Sequence, residues 1–82
     1  MHPRTELQRR VIERWLRDPT AEHYGLELAE LNGVDTATIY YMLRRWIERG
    51  WVTRRDVRAP KRRLLYTITE KGLAEMPGMV KK

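Results

Sequence analysis

Apolar residues recur at helical spacing between Pro3 and Pro19, where Leu7, Val11, Ile12, Trp15 and Leu16 follow a 3.6-residue turn. Thr5 is placed to cap this stretch and Glu6 stands near its positive end, so a first helix is expected over about residues 5–17. Asp18-Pro19 closes it, because the residue before a proline avoids the helical region. Thr20 offers a fresh cap, and a second helix is expected over about 21–32 with Leu28, Ala29 and Leu31 turned inward. Asn32-Gly33 ends that helix, glycine being favoured at a left-handed C-cap. Asp35 or Thr36 then caps a third helix, about 36–49, which carries Ile39, Leu43, Trp46 and Ile47 on one side and stops at Gly50.

After Gly50 the period falls to two. Residues 51–57 and 64–69 are rich in β-branched and aromatic types and are separated by the turn-like Arg58-Ala59-Pro60-Lys61. In the second run Leu64, Tyr66 and Ile68 share one face, and Leu65, Thr67 and Thr69 the other. The pattern predicts a hairpin with strands at about 51–57 and 63–69, then a short tail over 70–82 whose helical start is cut off by Pro77-Gly78. Two short helices across a tight glycine turn, followed by a hairpin, make a winged helix-turn-helix: an α+β, mainly α fold with three helices and a two-stranded wing. At 82 residues the whole of 1–82 is expected to be one domain.

Charge sharpens this picture. The net charge is +6, but residues 1–43 hold five arginines against seven acids, whereas residues 44–63 hold nine basic residues against Glu48 and Asp56. A cationic block of that density is a footprint for polyanions. There is no cysteine or serine, only two histidines and no glycine-rich phosphate loop, so no enzyme, catalytic residue or cofactor is expected. His23 has no histidine or cysteine at ligand spacing, so no metal site is expected. Without a long apolar run or a signal peptide, the reading is a cytoplasmic protein with no membrane partner.

Within this frame, Thr38-Ile39-Tyr40-Tyr41-Met42-Leu43-Arg44-Arg45-Trp46-Ile47-Glu48-Arg49-Gly50-Trp51-Val52 resembles the third helix and first wing strand of PadR-like transcriptional regulators. Tyr66-Thr67-Ile68-Thr69-Glu70-Lys71-Gly72 resembles that family's second wing strand, and the two segments cover about a quarter of the chain. The resemblance implies a DNA-binding regulator, a repressor among the roles. Two departures stand out. Ile47 occupies a position that is usually polar, and thirteen residues follow Thr69 where the family's long dimerisation helices would run. A short form is therefore expected, with no small-molecule effector and a homodimer formed through the N-terminal helix.

The N-terminal half of a recognition helix enters the major groove. Here it offers Thr36, Thr38, Tyr40 and Tyr41, with Arg44 and Arg45 one turn on. Hydroxyls suit phosphates or base edges, and arginine suits guanine or a phosphate. Tyr40 has packing against the wing as its alternative role. Arg54, Arg55, Arg58, Lys61, Arg62 and Arg63 form the wing's basic tip, suited to the duplex backbone or a narrow minor groove. Double-stranded DNA is thus the expected partner. The competing functions are a protein-interaction winged helix using Ile47 and Trp51, and an architectural or recombination accessory factor.

Overall fold

A helix leaves four amides unpaired at its start and four carbonyls at its end, so the chain must supply partners at both. The computed structural model describes residues 3–58 and 60–80, which leaves Ala59 of the expected turn and the ends of the chain outside the described residues. Helix α1 spans Pro3–Arg17. Proline fits the first helical position because its missing N–H has no partner there anyway, so the helix opens at Pro3 and the expected cap, Thr5, lies inside it. The inner face of α1 buries Leu7, Val11, Ile12 and Trp15. Its outer face is a charge ladder in which Arg9 pairs with Glu6 and Glu13, and Arg10 with Glu6.

The segment after Pro19 departs from expectation. Thr20 does not cap a helix; its hydroxyl donates to Asp18 Oδ1 at 3.0 Å. The Trp15 indole donates to the Ala21 carbonyl at 3.1 Å, and His23–Tyr24 forms a short strand, β1. Helix α2 is thereby confined to Gly25–Leu31, its start closed by Glu27 Oε1, which accepts from the Tyr24 amide at 3.3 Å. Seven residues make fewer than two turns, and Leu31, expected inside, is 56% exposed.

Helix α3 spans Thr36–Glu48 and is capped by Asp35, whose carboxylate accepts from the Thr38 amide at 2.9 Å. α2 and α3 end alike. Gly33 (φ +65°) and Gly50 (φ +81°) turn the chain left-handed, so that Val34 donates to the Ala29 carbonyl and Trp51 to the Trp46 carbonyl. These six-to-one bonds, with Gly33 bonded to Glu30 and Gly50 to Ile47, are the Schellman arrangement that answers orphan carbonyls.

Strands β2 (Val52–Val57) and β3 (Arg63–Ile68) pair antiparallel with Val52 opposite Ile68 and Arg55 opposite Leu65. β1 joins the other edge of β3, with His23 opposite Tyr66, so the sheet has three strands in the order β1-β3-β2 instead of the expected two. Thr69 caps helix α4 (Glu70–Glu75), accepting from the Gly72 amide and donating to the Gly50 carbonyl. Pro77 does not end the tail: it opens a further turn, α5 (Pro77–Val80), which packs on α1. The core is one cluster of α1, α2, α3 and sheet residues, closed from the tail by fully buried Met76.

Trp51 and Ile47, suspected of forming a partner surface, belong to this core. Trp51 is buried and its indole donates to Glu75 Oε1 at 2.9 Å, while Ile47 is half-buried against the cluster. Each large apolar side chain removed from water contributes about 1.5–3 kcal/mol, so neither is spare surface. The same holds for Leu7, Val11 and Trp15 of α1, the helix through which a homodimer was expected to form.

Candidate DNA interface

One side of α3 is committed to the core through Ile39, Met42, Leu43 and Trp46. The opposite side, at the same three- and four-residue spacing, is a solvent-facing stripe of Ala37, Thr38, Tyr41, Arg44, Arg45 and Glu48. Thr36 is also exposed, on the first turn. Thr38 has a structural task, since its hydroxyl donates to Asp35 Oδ1 at 2.6 Å. That hydroxyl and the Thr38 amide hold the Asp35 carboxyl below the ordinary aspartate range. Tyr41 is 56% exposed, with the Arg45 guanidinium 5.9 Å from its ring centroid and Arg45 Nη1 donating to its hydroxyl at 3.4 Å. Arg44 extends the other way, its Nε 4.0 Å from Glu48.

Tyr40 does not share this stripe. It is half-buried, 6.4 Å ring to ring from Tyr66, and its phenol occupies the space where a side chain at Gly25 would stand. Of the two roles open to it, packing toward α2 and the sheet is the one the fold gives it. Its ring still borders a groove of about 550 Å³, whose far wall is Lys61, Arg62 and Arg63 at the start of β3. Most of the remaining lining is α2 and its cap, through Tyr24, Gly25, Leu26, Glu27 and Glu30, so the groove runs between α2 and the wing.

The wing's cations divide by the partner each already has. Arg54, Arg58, Lys61, Arg62 and Arg63 are all exposed. Arg58 and Arg62 flank Asp56 at 3.6 and 3.5 Å, open pairs that solvent and salt screen readily. Arg63 lies over the Tyr24 ring at 5.0 Å. Arg55 is exposed as well, but it alone of them holds a carboxylate with two donors. Its guanidinium forks onto Glu22, Nε to Oε2 at 3.1 Å and Nη2 to Oε1 at 2.9 Å, tying β2 to the segment before β1. The fork raises the Arg55 pKa and lowers that of Glu22. The fork gives Arg55 a structural task within the fold.

Two neighbours of the site escaped the sequence reading. Arg49 lies over the Trp51 ring at 5.0 Å and shares a hollow with Tyr41, Arg44, Arg45 and Glu48. Its place in the cationic block was the available signal, masked by its position at the helix end. Tyr24 was read as helical, and its aromatic contact with Arg63 depends on the unforeseen strand. Among the described residues, no three His, Cys, Asp or Glu side chains gather as a metal site, and no helix is long and apolar enough to cross a membrane.

Known proteins share this fold. A transcriptional regulator homologue from Pyrococcus horikoshii superposes with a TM-score of 0.77 at 15% identity, over 92% of this chain and 73% of that one. A mutant MarR from E. coli complexed with operator DNA gives 0.70 at 26% identity, over 88% of this chain and 50% of that one. MarR from Peptoclostridium difficile gives 0.69 at 24% identity, over 90% and 47%. The chain therefore spans about half the length of these MarR structures. No curated protein matches it. The winged helix DNA-binding domain pattern matches residues 29–72, from the last turn of α2 through the turn, α3 and the wing, and the chain belongs to that family.

Proposed function

We propose that this chain is the DNA-reading module of a transcriptional regulator, with α3 in the major groove and the wing on the backbone or minor groove. One observation carries the reading: the face of α3 turned away from the core is a solvent-exposed stripe that includes Thr38, Tyr41, Arg44 and Arg45, and the wing that follows it exposes Arg54, Arg58, Lys61, Arg62 and Arg63. Thr38, Tyr41, Arg44 and Arg45 would meet base edges and nearby phosphates; Arg54, Arg58, Lys61, Arg62 and Arg63 would neutralise the backbone. The likeness to operator-bound MarR supports a MarR-type docking. A PadR-like assignment and a repressor role rest on the strings at 38–52 and 66–72 alone. One such module buries only about 600–1,000 Å² on DNA, which favours two copies per operator. Because the apolar face of α1 is internal, contact between copies there would run through its charge ladder.

The test is a titration of labelled duplex at several salt concentrations. Log affinity should fall with log salt with a slope of about −3 or steeper, near 0.9 for each phosphate neutralised. Joint replacement of Arg62 and Arg63 by alanine should flatten the slope and weaken all duplexes alike. An affinity indifferent to salt, or no binding at about 50 mM salt, rules the reading out.

A further inference from the structure

We propose that Tyr41 is a positioning residue that presents Arg45 to one guanine, while Arg44 serves the phosphates. The proposal rests on the DNA-reading function above and divides two adjacent arginines that the sequence leaves equivalent.

The division follows from where each guanidinium lies. Side chains on a helix lean toward its N-terminus, so Arg45 folds back over the turn that carries Tyr41, toward the end of α3 that enters a groove. There its Cζ stands 5.9 Å from the ring centroid and Nη1 donates to the phenolic oxygen at 3.4 Å. That bond uses one of five N–H groups; the second Nη1 hydrogen and those of Nη2 remain, a two-donor edge that matches guanine O6 and N7. Arg44 has no such rest. Its Nε turns to Glu48 at 4.0 Å, one turn toward the other end of the helix, and its side chain is 80% exposed.

Holding Arg45 in place before binding also lessens the freedom it loses on contact, which is how preorganisation raises affinity. Tyr41 itself is too exposed to be needed by the core, so an aromatic ring at this position is better explained by the arginine it carries.

The experiment uses the whole chain and the duplex that it enriches most strongly from a random library. Each guanine of that duplex is replaced in turn by 7-deazaguanine, which removes the N7 acceptor and leaves pairing intact. At one guanine the wild type should lose about tenfold in affinity. Arg45→Ala should bind more weakly and be indifferent to the replacement; Tyr41→Phe should keep most of the discrimination and Tyr41→Ala should lose most of it. Arg44→Ala should weaken enriched and random duplexes by the same factor and keep the discrimination. Discrimination that survives Tyr41→Ala, or that follows Arg44 instead of Arg45, overturns the proposal. If no duplex is enriched or bound at low salt, the DNA-reading function itself fails, an outcome separate from the other two.

Discussion

His23 shows how one side chain couples folding to acidity. It is 7% exposed, its ring set edge-on to Trp15 at 5.3 Å, with Nε2 buried and unpartnered. Burial pushes its pKa below the ordinary imidazole value; Glu27, 3.8 Å from Nδ1, and Asp18 pull the other way, and Arg14 adds to the depression. The folded ring thus resists a proton that the unfolded ring accepts below about pH 6.5. The unfolded state binds more protons there, so stability is full above that pH and falls as pH drops through it. Urea midpoints should fall between pH 7.5 and pH 5, and His23→Leu should flatten that fall; an unchanged slope in the variant would assign the loss to other groups. The lowered carboxyls of Glu6, Glu22 and Asp35 act the same way, but from the carboxylate range downward. None of this is legible in the sequence, where His23 is only a lone histidine without metal-ligand neighbours. Tyr40 and Tyr41 teach a related lesson. Adjacent helical residues point about 100° apart, and which of the two faces solvent depends on where α2 crosses, a fact of packing and not of periodicity.

Elements are where sequence spoke most clearly, because their limits are set locally. Asp35, Gly33 and Gly50 act on amides and carbonyls within a few residues, and the two-residue alternation of β3 sorts its side chains onto two faces by itself. Gly50→Ala should cost about 1–2 kcal/mol, since a side chain at φ +81° meets the following carbonyl. Chemical denaturation would measure it, and a neutral result would mean that the α3 end relaxes into another cap. Gly72→Ala should cost about 1–3 kcal/mol for a different reason: its Cβ would collide with the Trp51 backbone oxygen and the Ile68 side chain. What stayed hidden was non-local. β1 is two residues long and carries no period of its own, so only its pairing with β3 reveals it. The Arg55–Glu22 fork spans thirty-three positions and depends on that same pairing.

For the molecule as a whole, charge and shape are arranged along the chain. The balance over residues 1–43 is slightly acidic and the cationic block begins within α3, so an approaching polyanion is drawn toward one end of the sequence's architecture. Binding should accordingly slow as salt rises, beyond the weakening of affinity alone. The core that supports this surface was largely readable from apolar spacing, whereas the tail was not: Met76 and the Trp51–Glu75 bond close the core from a region whose composition suggested an end. Trp51 has one further consequence. All three tryptophans are buried, and Trp51 has the guanidinium of Arg49 over its ring at 5.0 Å. A nucleic-acid phosphate that draws Arg49 away changes the field at that indole and leaves Trp15 and Trp46 in their surroundings. The domain therefore carries its own optical gauge of occupancy: intrinsic emission should shift on titration with unlabelled duplex, and Trp51→Phe should silence most of the signal.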